Sequence, residues 1–224
     1  MSTAGKCRVT LKLATSLDGR IALGNGASQW ITGEAAREDV HRLRSEHDVV
    51  LSGIGTVLAD DPRFTVRLPD FSGRQPGRMI LDTRLRTPET ARLFEAGGPI
   101  LIVCGKDVPA HSRAALEAKG ATIEGISRFD GPSVSLRASI GLAEALGAES
   151  VMIEAGAKLA ASAIKNDLVD RIEWFRAPMV LGGDGWPVVA ALGLERLDEA
   201  PIFQRIAVCE IGPDLRESYE RRRA

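Results

Sequence analysis

The feature that most constrains this chain is the rhythm of its middle. Short β-branched runs at residues 49–53, 78–81, 99–104, 121–125 and 150–153 alternate with stretches of helical spacing at 34–47, 111–119, 133–146 and 157–165. Such alternation belongs to sheets with parallel strands, because a parallel connection needs a crossover long enough to hold a helix. A first strand at 8–15 opens the series. After Leu168 the pattern turns to apolar-polar alternation, in Arg171-Ile172-Glu173-Trp174-Phe175-Arg176 and Phe203-Gln204-Arg205-Ile206-Ala207-Val208, which predicts antiparallel strands. The expected fold is α/β, a mixed and mostly parallel central sheet with flanking helices and antiparallel C-terminal strands. At 224 residues the chain suits one sizeable core, and no repeat or linker divides it, so a single domain over 1–224 is expected.

Composition narrows the partner. A 44% hydrophobic content, 26% charged residues and a net charge of −1 carry no bulk bias toward nucleic acid or lipid, which leaves a small molecule. No apolar run reaches the roughly 20 residues of a membrane span, and the first nine residues lack the apolar stretch of a secretory signal. A cytoplasmic setting is expected. Cys7, Cys104 and Cys209 are scattered and odd in number, so they read as buried thiols and not as a disulfide framework. The terminal Arg221-Arg222-Arg223 reads as a solvated end.

Two segments carry unusual chemistry. Ser28-Gln29-Trp30-Ile31-Thr32-Gly33 precedes the first helix, with Thr32 placed to cap it, and Gly53-Ile54-Gly55-Thr56-Val57-Leu58-Ala59-Asp60-Asp61-Pro62 follows the second strand. Gly53, Gly55 and Thr56 at a strand-to-helix turn suit an anion held by backbone amides, or simply a structural turn. Asp61 before Pro62 is pushed out of helix and can stop the segment. The Asp60-Asp61 pair can instead meet sugar hydroxyls or manage a proton. A metal is not expected, because no His or Cys companions lie at ligand spacing.

On the first helix Ala36, Val40 and Leu43 form an apolar stripe, while Arg37, His41 and Arg44 form a basic one, either a solvated face or an anion-binding one. Glu154-Ala155-Gly156-Ala157 lies between a strand and a helix, where open α/β sheets bind dinucleotide pyrophosphates. Lys12, flanked by Leu11 and Leu13, either faces solvent or reaches a ligand from the sheet.

Taken in order, Leu11 through Ala22 with its Ser16-Leu17-Asp18-Gly19, then Ser28 through Gly33, His41-Arg42-Leu43-Arg44, Gly53 through Pro62 with Phe64-Thr65-Val66-Arg67, and Glu154-Ala155-Gly156 make a linked set. The chain resembles, over nearly all its length, the reductase domain of the bifunctional riboflavin-biosynthesis deaminase/reductase, within the dihydrofolate-reductase-like superfamily. The resemblance implies NADPH-dependent reduction of a phosphoribosylamino-pyrimidine to its ribitylamino product. Ala14, Trp30, Gly53, Thr56 and Asp60 then match dinucleotide contacts, with Thr83 near the adenosine phosphate and Gly156 against the pyrophosphate. Ser28, Arg44, Asp61, Phe64, Arg67 and Glu154 fall to the substrate, and Lys12, Asp60 and Glu154 are the expected polar groups around the reacting carbon.

The resemblance further implies a homodimer, and the apolar alternating C-terminal strands around Trp174 and Phe175 could pair across its two-fold axis. The His-x-Glu and Pro-Cys-x-x-Cys motifs of a zinc deaminase are absent, so no deaminase domain is expected. Two other readings remain open at this level: a paralogous pterin or dihydropterin reductase, and an NADP-binding module without catalysis.

Overall fold

The structure, a computed structural model, describes residues 7–95 and 97–222. Its strands are β1 (Arg8–Thr15), β2 (Arg20–Ala22), β3 (Val49–Gly53), β4 (Gly77–Leu81), β5 (Ile100–Gly105), β6 (Ala121–Ile126), β7 (Phe129–Asp130), β8 (Ser133–Val134), β9 (Ser150–Glu154), β10 (Arg171–Arg176), β11 (Trp186–Pro187), β12 (Phe203–Ile211) and β13 (Asp214–Arg221). The helices are α1 (Glu34–Ser45), α2 (Ile54–Asp60), α3 (Ala110–Ala118), α4 (Leu136–Ala145) and α5 (Ala157–Lys165). Nine strands form one sheet in the order β12-β13-β10-β1-β9-β3-β4-β5-β6, parallel between β1 and β10 and across β3 to β6, and antiparallel where β13 meets β10 and β12. The expected fold class holds. By contacts the chain divides into two compact units, Met1–Arg8 with His41–Met152 and Val9–Val40 with Ile153–Ala224.

In the first unit β3, β4, β5 and β6 pair in parallel, with Leu51 opposite Met79 and Met79 opposite Leu101. Val50, Leu51, Ile80, Ile102 and Val103 are completely buried, as strands covered on both faces require. Each such side chain contributes about 1.5–3 kcal/mol of burial. Helix α4 buries Leu136, Ser139, Ile140 and Ala143, one stripe at helical spacing, and the Ser135 hydroxyl caps it by accepting from Ala138 N at 3.3 Å. Ser135→Ala would remove that cap at a cost of about 1 kcal/mol. The helix therefore starts later than the expected 133. Ser133 and Val134 instead pair with Phe129 and Asp130 around Gly131, whose φ of +63° suits a residue without a side chain. At the open edge, Arg113 Nη1 donates to the Ile123 carbonyl of β6 at 2.8 Å and blunts the strand.

In the second unit β1 pairs in parallel with β10, and β13 lies between β10 and β12. Strand β13 is absent from the sequence expectation because its residues, Asp-Leu-Arg-Glu-Ser-Tyr-Glu-Arg, show no apolar alternation. Ion pairs make it a buried strand. Glu173 on β10 has no exposed surface and accepts from Arg171, from Arg216 Nε at 2.8 Å and from Ser218 Oγ at 2.7 Å. Arg216 also donates to Asp39 of α1 at 2.8 Å. Burial pushes the Glu173 carboxyl up, but hydrogen bonds from Arg216, Ser218 and Arg171 outweigh it and hold the group below its ordinary value. The terminal basic run is only partly a solvated end: Arg221 closes β13 and pairs with Asp167 at 2.9 Å, while Arg223 lies outside the described residues.

Candidate active site

In the first unit the site residues cluster on β3, α2 and the loop after them. Strand β3 ends at Gly53 and α2 begins at the next residue, so Gly55 and Thr56 stand in the first turn of a seven-residue helix. A Cβ built on Gly55 meets nothing within 4 Å, so the space beside this turn is open. The helix ends at Asp60, which is exposed. Asp61 follows in left-handed conformation with φ 42°, and its N–H returns to Val57 O at 3.1 Å, the helix stop expected before a proline. Its carboxylate Oδ1 accepts from Arg92 N at 2.8 Å and so caps the short 3-10 turn Arg92–Phe94.

The next residues form no regular element, yet Phe64, Thr65 and Val66 are buried. Their backbone is satisfied by side chains, as buried polar groups require. Gln75 accepts from Val66 N at 2.8 Å and donates to Val66 O at 2.9 Å. Arg44 Nη1 donates to Thr65 O at 3.0 Å, and His41 Nδ1 lies 3.0 Å from the same carbonyl and 3.2 Å from Arg67 N, so it donates to Thr65 O in one tautomer and accepts from Arg67 N in the other. Arg44 is 8% exposed, so the basic stripe is not a solvated face at that position. Arg67 is exposed. The Phe64 ring is core at 1% exposure with φ 54°, which leaves its backbone as the part that can meet a ligand.

Thr83 stands just beyond the carboxyl end of β4. Its hydroxyl oxygen accepts from Val134 N at 3.0 Å, leaving the hydroxyl proton to donate elsewhere, and its carbonyl accepts from Gly105 N at 3.0 Å.

In the second unit β1 and β9 bring Lys12 and Glu154 together, Nζ to Oε1 at 3.5 Å, with side chains 14% and 16% exposed. Neither faces bulk solvent. Ala14 lies two residues beyond Lys12, opposite Phe175 of β10, and is half-buried. Gly156 caps α5 with φ −76° and ψ 177°, no side chain contributes a capping bond, and a Cβ there would meet nothing within 4 Å. An unobstructed helix N-terminus with amides pointing outward is a ready anion site.

Trp30 is 68% exposed, with Arg37 stacked over its ring at 4.6 Å. Arg37 also donates to Thr32 O at 2.8 Å. Helix α1 begins at Glu34, and Arg37 N bonds to Gly33 O, so Gly33 and not Thr32 takes the cap position. Ser28 is half-buried in the preceding loop. The sequence reading gave no role to Asp18, which fastens the turn after β1. It accepts from Ser16 Oγ at 2.6 Å, Leu181 N at 3.1 Å and Gly182 N at 2.8 Å, and these bonds, Ser16 first, lower its carboxyl to about 2.

Residues 8–215 match the RibD C-terminal domain. The chain belongs to that family. The riboflavin biosynthesis protein RibD of Bacillus amyloliquefaciens is 39% identical over 214 residues, covering 93% of this chain and 56% of that protein. The 2,5-diamino-6-ribosylamino-4(3H)-pyrimidinone 5′-phosphate reductase of Methanothermobacter thermautotrophicus is 33% identical, covering 94% of this chain and 96% of that protein. Among solved structures, Acinetobacter baumannii RibD superposes with a TM-score of 0.85 at 32% identity, covering all of this chain and 60% of that one. This chain therefore spans little more than half the length of the RibD relatives. The family places Lys12, Glu154, Gly156 and the Gly53 to Arg67 stretch within its matched region, and among the described residues no helix is long and apolar enough to cross a membrane.

Proposed function

We propose that the chain is an NADPH-dependent reductase of riboflavin biosynthesis, converting a phosphoribosylamino-pyrimidine to the ribitylamino-pyrimidine phosphate. The observation that carries this reading is the partly buried Lys12–Glu154 pair at 3.5 Å, in a chain whose family includes a named pyrimidinone phosphate reductase. Reduction at a sugar carbon needs a polar pair that can hold a hydroxyl and pass a proton in a site shielded from water. Lys12 donates hydrogen bonds and Glu154 accepts them. NADPH would supply the hydride.

The residues fit a dinucleotide. The open space at Gly156 admits a pyrophosphate against the α5 amides, the Thr83 hydroxyl proton suits a phosphate oxygen, and Ala14, Trp30, Gly53, Thr56 and Asp60 complete the cofactor contacts. Arg84 and Arg86 are exposed, and neither forms a hydrogen bond or ion pair among the described residues, so both are available to a 2′-phosphate. Ser28, Arg44, Asp61, the Phe64 backbone and Arg67 hold the substrate, with Arg67 as the exposed cation for its phosphate. Arg44 fixes the Thr65 carbonyl, and with it the path of the chain to Arg67. Mass spectrometry of a reaction with NADPH tests the assignment: a product gaining two hydrogens on the ribosyl chain supports it, and unchanged substrate overturns it.

The same proposal includes a homodimer and a cytoplasmic location. Strand β10 is interior and Phe175 is fully buried, so neither can be the pairing element that the sequence suggested. The available edge is β12, exposed along most of its nine residues, with Ile206 44% and Val208 47% exposed. Such an edge favours pairing with a second copy. Cys7 and Cys104 are buried as expected, whereas Cys209 on the outermost strand β12 is exposed; the three thiols form no disulfide with one another, in keeping with a reducing compartment.

A further inference from the structure

The loop after β4 contains a buried carboxylate that none of these roles uses. Asp82 has no exposed surface. Its Oδ2 accepts from both the N–H and the hydroxyl of Thr87, each at 2.8 Å, while its Oδ1 is buried with no partner. A buried carboxylate oxygen without a donor costs stability, and a fold retains one where the geometry it enforces has a use.

That geometry is a closed loop. Asp82 N donates to Val103 O at 2.9 Å and Leu85 N donates to Asp82 O at 3.1 Å. Leu85 is buried in left-handed conformation with φ 49°, uncommon for a residue with a side chain. Leu85 and Thr87 point inward, while Arg84 and Arg86, alternating with them, are exposed. Asp82 and Thr87 thus brace a short segment whose outward groups are two arginines free of acidic partners.

We propose that Asp82 is a positioning residue for recognition of the cofactor's 2′-phosphate. By gripping Thr87 it fixes the backbone from which Arg84 and Arg86 reach that phosphate. The inference rests on the NADPH reading above. A preorganised pair of guanidinium groups binds a phosphate with less ordering cost than the same groups on a slack loop, so loosening the loop weakens NADPH and leaves NADH, which lacks the phosphate, unaffected.

The test is a fluorescence titration of the full chain with NADPH and with NADH. Asp82→Asn brings amide donors to the place of the bare oxygen and weakens the grip on Thr87, and Thr87→Val removes the hydroxyl bond alone. Both should raise the Kd for NADPH about tenfold, equivalent to about 1.4 kcal/mol, with the Kd for NADH unchanged. Thr87→Ser should behave as the parent. If Asp82→Asn does not fold, Thr87→Val and its serine rescue decide. Equal changes for the two cofactors, or none, in a folded variant would overturn the inference. Arg86→Ala separates it from the reading beneath: a lowered NADPH preference in Arg86→Ala with an intact preference in Thr87→Val refutes the positioning role alone. An unchanged preference in both Arg84→Ala and Arg86→Ala refutes the 2′-phosphate assignment and the inference with it.

Discussion

Removing the charge of Glu154 is the most informative single change. The carboxylate stands 3.5 Å from the Lys12 ammonium, and both side chains are about six-sevenths buried at 14% and 16% exposure. At that separation and an effective dielectric of about 20 the gross attraction is about 5 kcal/mol. Residual solvent and the ordering of two side chains reduce this to a net coupling of about 1–3 kcal/mol, above exposed pairs and below fully buried ones. Lys12→Met and Glu154→Gln should therefore each lower kcat/KM by about 10–100-fold, and the double variant should fall little below the worse single one. Steady-state kinetics on the three variants, with urea unfolding of each, measures the coupling and separates it from stability. Losses that multiply in the double variant would show that the two groups act independently, and losses matched by the fraction unfolded would remove both from the chemistry.

Other consequences are equally direct. Gly156→Ala adds a methyl group where the protein has open space and at φ −76°, which any residue adopts, so only the poorer N-cap preference of Ala is felt and unfolding should change by no more than about 1 kcal/mol. The KM for NADPH should nonetheless rise about tenfold if a pyrophosphate occupies that space; equal KM values would place it elsewhere. Glu173→Gln should destabilise the fold by about 3 kcal/mol at neutral pH, because Arg171 and Arg216 lose their shared anion. The folded carboxyl titrates below the ordinary 4.5, so its contribution is complete above that value and is lost as pH falls through the folded one. Denaturation curves from pH 7 downward should converge for parent and variant in acid, and a constant gap would refute the assignment. Arg67→Ala should raise KM about tenfold for the phosphorylated substrate only, and an equal rise with a dephosphorylated analogue would argue against a phosphate contact.

Much of the frame was legible because it is written in local physics. The β-branched runs that become β3, β4, β5 and β9 are buried on both faces, so apolarity alone marks them, and Gly53 through Pro62 reads as a strand, a tight turn and a stop because glycine and proline act on their own backbone. Strand β13 was invisible because a long-range ion pair at Glu217 and a long-range hydrogen bond from Ser218, not apolar alternation, hold these residues in the sheet. The start of α4 was misread because Asp130, six residues upstream, accepts the Leu136 N–H and holds Ser133 and Val134 in a hairpin. At the candidate site, the Lys12–Glu154 pair joins residues 142 positions apart, a distance no spacing argument spans. Asp82 escaped notice for a similar reason. Its neighbours in sequence read as an ordinary charged turn, and only the burial of its bare oxygen sets it apart.

The central claim is a reductase acting on a phosphoribosylamino-pyrimidine, and the most direct measurement is NADPH oxidation followed at 340 nm with the aminouracil and diaminopyrimidinone ribosyl phosphates side by side, using a dihydropterin as the comparison substrate. The account predicts stoichiometric oxidation with at least one of the two ribosyl phosphates, none with the dihydropterin, and oxidation about 10–100-fold slower in Glu154→Gln. Cofactor binding without oxidation on either ribosyl phosphate, or turnover with the dihydropterin alone, would contradict it.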